Sequence, residues 1–201
     1  MNNSYYLPLQ LDFPIFNTSL SPIDFLKSHP DWINFDATSP WPILHYILDR
    51  KNDLSTELHQ FFANHNLEVN ICEIFFRRKN NDGIEGIHSD GGTAGDLAKL
   101  NWIFDGDDSE MLWYTINDTY TNAYAFETVI NTTALWYKST EVDLIYSANV
   151  TGTVLVQAGC PHTVQTKNYE RFCASVSFID SKSKKFITMS EATELFKKFA
   201  K

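Results

Sequence analysis

The side chains best suited to chemistry in this chain lie in Gly86-Ile87-His88-Ser89-Asp90-Gly91-Gly92, in Pro161-His162 and at Arg171. In an extended strand successive side chains alternate faces, so His88 and Asp90 point one way and Ser89 the other. An imidazole and a carboxylate on one face, joined by a distant second histidine, are the donors of a facial metal site. Two histidines and one carboxylate cover one side of an octahedral Fe(II) and leave the other side open. Gly91-Gly92 lets the chain turn away and keeps bulk off the ion. Pro161 biases Cys160 toward an extended backbone and so fixes where the strand bearing His162 begins. Cys160 falls on the same side as His162, but a soft thiolate suits zinc better than an iron with open positions. The candidate ligands are therefore His88, Asp90 and His162. A lone His-x-Asp carries little weight, and His162 alone reads equally well as a strand-end histidine with a satisfied hydrogen bond. The ordered combination with Arg171 carries the argument.

Arg171 opens the run Arg171-Phe172-Cys173-Ala174-Ser175-Val176-Ser177-Phe178. Alternation puts Arg171, Cys173, Ser175 and Ser177 on one face and the apolar residues on the other. A buried guanidinium stripped of its partner costs on the order of 3–5 kcal/mol. Glu170 is adjacent in sequence and cannot share its face. If the small-residue face lines an interior, the carboxylate must come from elsewhere, and a bound dicarboxylate supplies it in the bidentate geometry arginine favours. The competing reading is an arginine at an exposed strand start, paired with Glu170 or with solvent.

Such a site needs a rigid β scaffold, and the composition supplies one. The chain has 201 residues, among them five Trp, nine Tyr and fifteen Phe. That is one domain with a proper core, not a disordered chain. From Glu68 onward, short runs of Val, Ile, Phe, Tyr and Trp alternate with Asn-, Asp- and Gly-rich loops. They read as strands over 68–78, 84–90, 97–104, 111–116, 123–130, 133–137, 142–147, 153–157, 162–166 and 171–179, which points to a sandwich or jelly roll rather than βαβ units. The first part, 1–67, reads as helical. Ser21-Pro22-Ile23-Asp24 starts a short helix ending near His29. Ile43, Leu44, Ile47 and Leu48 form one apolar stripe at helical spacing, and Leu54, Leu58, Phe61, Phe62 and His65 form a second. His29, His45, His59 and His65 then belong to helix surfaces or ends. The β core spans 68–180, and a terminal helix over 190–201 is capped by Ser190 and buries Ala192, Leu195, Phe196 and Phe199.

The net charge of −9 disfavours a nucleic-acid partner, which needs a basic footprint. The two basic clusters, Arg77-Arg78-Lys79 and Lys182 to Lys185, read as solvated loops or strand ends. Three scattered cysteines, Cys72, Cys160 and Cys173, suggest free thiols in a reducing cytoplasm. No apolar run approaches a membrane span. Met1-Asn2-Asn3-Ser4 lacks the features of a signal peptide, which makes the sequons at Asn131 and Asn149 incidental.

His88-x-Asp90, then His162, then Arg171 in a serine-containing strand resembles the 2-oxoglutarate/Fe(II)-dependent oxygenase superfamily over roughly residues 70–180. Lys99 to Phe104 and Met111 to Tyr114 are similar to middle strands of its small-molecule members. The resemblance implies a mainly β domain with flanking helices, a double-stranded β-helix of jelly-roll, cupin-like type. It implies that His88, Asp90 and His162 hold Fe(II) and that Arg171 binds the C5 carboxylate of 2-oxoglutarate. Tyr114, Ser175 or Ser177 would complete that contact, and Asn101 would reach the cosubstrate. Trp102 and Trp113 read as core residues before cavity lining. The implied reaction is hydroxylation of a small molecule or protein side chain, with release of succinate and CO2. The long His88–His162 separation implies an insertion, with Asp105 to Glu110 and Asn117 to Asn122 as polar candidates. Two other classes remain open: a cupin-type metalloenzyme that does not use 2-oxoglutarate, and a non-catalytic jelly-roll binding module. Substrate identity and oligomeric state are not encoded in any motif.

Overall fold

A computed structural model of the chain describes residues 5–38, 43–78, 86–91, 96–105, 108–121, 124–127, 133–166 and 170–201. The strands are β1 (Tyr6–Pro8), β2 (Ile43–Leu48), β3 (Leu67–Arg77), β4 (Ile87–Ser89), β5 (Ala98–Ile103), β6 (Glu110–Ile116), β7 (Tyr124–Glu127), β8 (Thr133–Tyr137), β9 (Val142–Asn149), β10 (Gly152–Gln157), β11 (His162–Gln165) and β12 (Arg171–Asp180). The helices are α1 (Pro22–Ser28), α2 (Pro30–Thr38), α3 (Thr56–Ala63) and α4 (Met189–Phe196). Among the described residues the strands form two six-stranded sheets, ordered β1-β10-β5-β12-β3-β2 and β7-β8-β4-β11-β6-β9. Every strand pair in both sheets is antiparallel.

The two faces of the first sheet do different work. Its outer face carries Ile74, Phe76, Leu100, Phe172, Ala174, Val176 and Phe178, all buried under Leu26, Trp32, Leu58, Phe62, Ala192 and Phe196 of the helices. Its inner face meets the second sheet, where Ile103, Val154, Val156 and Cys173 pack against Met111 and Trp113. Strand β12 therefore reads as apolar because one face is roofed by helices, while its Arg171, Cys173, Ser175 and Ser177 face the interior between the sheets.

Each strand run predicted between Glu68 and Asp180 forms a strand; positions 84, 85, 123 and 128–130 of those runs lie outside the described residues. Three expectations about the flanks change. Residues Ile43–Leu48 are strand β2, not helix, paired along the edge of β3. Tyr46 and Leu48 are buried while Ile47 between them is 37% exposed, an alternation of two that the Ile-Leu-Ile-Leu spacing conceals. The 1–67 part also supplies β1, which pairs with β10, so this part is not purely helical. The last helix is capped by Thr188, not Ser190. The Thr188 hydroxyl accepts from the Glu191 amide and the Glu191 carboxylate accepts from the Thr188 amide, a reciprocal box that begins two residues earlier. Met189, Ala192 and Phe196 are its buried residues, and Leu195 and Phe199 pack against the core partly buried. The polar candidates Asp105 to Glu110 and Asn117 to Asn122 fall between β5 and the start of β6 and between β6 and β7, with positions 106, 107 and 122 outside the described residues, and β7 and β8 extend the second sheet beside β4. Cys72, Cys160 and Cys173 are free thiols. Among the described residues no helix is long and apolar enough to cross a membrane.

Candidate metal centre

His88 and His162 face each other because their strands pair. In the β4–β11 ladder His162 is the direct antiparallel partner of His88, and the ring centroids are 4.5 Å apart. Asp90 follows β4 by one residue, its amide donating to the Ala158 carbonyl at 2.9 Å. The chain then leaves through Gly91, whose φ of +73° is the left-handed region that glycine adopts without strain. One donor atom from each of His88, Asp90 and His162 lies within 4.8 Å of the others.

The ring orientations are fixed from behind. His88 Nδ1 is 2.9 Å from the Gly86 carbonyl oxygen, and His162 Nδ1 is 2.9 Å from that of Cys160. A carbonyl only accepts, so each Nδ1 carries the proton and each Nε2 keeps its lone pair for an ion. His88 Nε2 stands 3.7 Å from Asp90 Oδ1. Two nitrogens, each oriented by a backbone carbonyl, and one carboxylate oxygen fit a divalent transition ion with positions left open.

A methyl group at Gly86 would overlap the Trp136 indole, which sits beside the His88 ring at 5.5 Å between centroids. Gly86→Ala is expected to displace the indole and the carbonyl that holds His88, weakening Co(II) binding about 10-fold or more. A Co(II) titration followed by absorbance checks it.

Charge around the site is arranged by residues the sequence reading did not single out. Lys99 on β5 lies 2.8 Å from Asp90 Oδ2 and 2.6 Å from Glu73 Oε2. Glu73 on β3 also contacts His45 Nε2 at 3.2 Å. Burial opposes ionisation of Asp90, but Lys99 and then the two imidazoles outweigh it and hold the carboxyl well below the usual range. Burial likewise opposes the Lys99 charge, yet Asp90 and Glu73 keep it an ammonium far above its ordinary range. Burial would raise Glu73, and Lys99 with His45 lowers it overall. Burial first, and His88 second, pull His162 down to about 4, so it is neutral and ready to ligate at physiological pH. Burial pushes the Cys160 thiol up to about 12, which leaves no thiolate there.

These shifts set a pH dependence for the metal-free protein. Between the ordinary histidine value of 6.5 and about 4, the unfolded chain binds a proton at His162 that the folded protein refuses. Stability therefore falls as pH drops through that window, by on the order of 3 kcal/mol from this histidine alone. Asp90 and Glu73, both lowered, add losses of the same sign at more acid pH. Thermal unfolding of the metal-free protein between pH 7 and pH 4 measures this, and His162→Gln is expected to flatten the curve.

A cavity between the sheets opens beside the three donors. It offers ≈ 60 Å³ to the centre of a water molecule, room for several waters or a small dianion. Arg171, Asn101 and Ser175 line it, as do Lys99 and Arg77. Arg171 is 7% exposed, and its Nε has no hydrogen-bond partner among the described residues. No ion pair joins it to a described carboxylate, and Glu170 is exposed. The Asn101 Oδ1 is buried and unpartnered among the described residues.

Tyr114 is not among the residues that line this cavity. Met111, opposite Val164, is the β6 residue that lines it, and β6 runs past the site to Trp113, opposite His162, before reaching Tyr114. Trp102 and Trp113 are core residues of the two apolar clusters. Arg77 is not a solvated strand end; it is 4% exposed and donates to the Val164 carbonyl at 3.0 Å. Lys79 lies outside the described residues, and the Lys182 to Lys185 turn is exposed as predicted. His45 is on β2, not on a helix. A signal for the missed pair was present: Glu73 and Lys99 are lone charges of opposite sign within two strongly apolar runs.

A scan against protein-family models and a search of curated proteins found no match to this chain.

Proposed function

We propose that this chain is an Fe(II)- and 2-oxoglutarate-dependent dioxygenase that hydroxylates a small molecule or a protein side chain. The observation that carries the reading is the gathering of His88, Asp90 and His162 at one cavity that Arg171 also lines. The strand order supports the finer fold, a double-stranded β-helix. Leaving aside β1, β2, β7 and β8 at the margins, the chain passes β3, β4, β5, β6, β9, β10, β11, β12. It alternates between the two sheets at every step except β6 to β9. That winding is how a jelly roll brings the ends of distant strands to one mouth.

Fe(II), when bound with 2-oxoglutarate and O2, supplies oxidative decarboxylation to succinate and CO2 and an oxidant able to attack an unactivated C–H bond. The protein's part is geometric and electrostatic. The two Nε2 atoms and Asp90 would hold the ion on one side. The other side would face the cavity. Arg171 would grip the far carboxylate, with Ser175 and Asn101 beside it. Met111, Val156, Ala158 and Val164 give the cavity an apolar wall that, with a substrate in place, would limit water at the reacting groups.

The test is succinate formation by the purified protein given Fe(II), 2-oxoglutarate and ascorbate. Succinate that depends on both additions supports the reading. A protein that binds Mn(II) yet neither binds 2-oxoglutarate nor forms succinate would instead be a metalloenzyme of another class. One that takes up no divalent ion would be a binding module.

A further inference from the structure

Asp90 has two oxygens, and the structure treats them differently. Oδ1 is the one turned toward His88 Nε2, at 3.7 Å. Oδ2 is held by the Lys99 ammonium at 2.8 Å. Lys99 is itself anchored. Its ammonium is 2.6 Å from Glu73 Oε2, and the other Glu73 oxygen is 3.2 Å from His45 Nε2. The His45 ring lies flat on Phe75, 4.6 Å between centroids with planes 3° apart. Lys99 sits on β5, between β10 and β12, where its register partners are Val156 and Ser177. A central strand has no free edge along which that side chain could escape to water, and Lys99 is only 7% exposed.

Resting on the metal reading above, we propose that Lys99, neutralised by Glu73, is a positioning residue that keeps Asp90 Oδ2 occupied, so that the carboxylate offers a metal ion Oδ1 alone. A carboxylate with both oxygens free can chelate a divalent ion with both. Each added protein oxygen takes a position that a reacting ligand needs. An ammonium on the second oxygen prevents this by charge as well as by hydrogen bonding, and outer partners of this kind orient metal-bound carboxylates generally. Glu73 makes the arrangement tolerable, because Lys99 then brings no net positive charge toward the ion. His45 fixes the far oxygen of Glu73 and closes the chain of contacts at the half-buried edge strand β2.

The experiment is a difference infrared spectrum of the protein on addition of Mn(II) alone. One-oxygen binding gives a wide separation of the asymmetric and symmetric carboxylate stretches, and chelation gives a narrow one. The wild type is expected to show the wide separation. Lys99→Met strands Glu73 and risks misfolding, so the decisive variant is Glu73→Gln/Lys99→Met, which removes both charges of that pair together and leaves Mn(II) to supply the positive charge that Asp90 has lost. It is expected to bind Mn(II) with the separation narrowed. A narrow separation in the wild type overturns the proposal, as does a wide one that the double variant retains; either leaves the three-ligand reading standing. No Mn(II)-dependent carboxylate bands in the wild type would overturn the three-ligand reading and this proposal with it.

Discussion

Alanine at His88, Asp90 or His162 is expected to abolish succinate formation and to weaken Co(II) binding more than about 100-fold. Loss of an outer partner of a metal ligand already costs about 10- to 100-fold, and these residues are the ligands themselves. The three act as a unit, so each single variant should lose nearly as much as the triple variant does. The variants should differ in stability. Asp90→Ala removes one of two carboxylates on Lys99, and Glu73 at 2.6 Å still neutralises the ammonium. Folding of that variant should survive with little change. Among the described residues, Lys99→Met leaves Glu73, 4% exposed, with His45 alone for a partner and takes the ammonium from Asp90 as well. It is expected to cost on the order of 3–5 kcal/mol, the range for a stranded buried charge. Absorbance titration with Co(II), succinate assay and urea unfolding on the same preparations separate the two effects. Wild-type turnover in His88→Ala or His162→Ala would end the metal assignment.

The sequence made the β scaffold legible wherever one face of a strand was roofed and the other was not. In β12 the alternation of Phe172, Ala174, Val176 and Phe178 with Arg171, Cys173, Ser175 and Ser177 is the pattern of helices above and a site below. The ligands were legible because alternation alone puts His88 and Asp90 on one side. Their meeting with His162 depends on which strands pair, and pairing is a long-range choice that local pattern does not carry. Strand β2 is hidden in the sequence because Ile43, Leu44, Ile47 and Leu48 satisfy a helical spacing as well as an extended one. The edge of β3 decides between them by offering six paired positions. The Glu73–Lys99 pair is hidden for a related reason. Each looks anomalous in its own apolar run, and only the sheet order, with β12 between β3 and β5, brings the two charges into reach across one strand. Tyr114 has a suitable hydroxyl, but it lies one residue beyond the β6–β11 ladder, which ends at Trp113, and not at the cavity, a matter of register that residue type does not predict.

Arg171→Ala is expected to weaken 2-oxoglutarate binding to the Mn(II)-loaded protein by about 100-fold or more while leaving Mn(II) affinity unchanged. Truncating one partner of a buried, hydrogen-bonded charge pair costs about 2–5 kcal/mol, and each 1.4 kcal/mol is tenfold. The same change should not destabilise the ligand-free protein. Arg171 is 7% exposed and faces the cavity, with Nε buried and unpartnered among the described residues, so an anion in the cavity would offset the cost of its burial. A structural arginine would behave in the opposite way, losing folding stability and ligand affinity together. The melting temperature of Arg171→Ala without ligand is therefore expected to equal or exceed that of the wild type. The stabilisation that 2-oxoglutarate gives the wild type should vanish in the variant. Arg171→Lys keeps the charge and loses the two-pronged geometry, so it should fall between the two. Unchanged 2-oxoglutarate affinity in Arg171→Ala would remove the dicarboxylate from this cavity and leave a metal centre whose open side serves another ligand.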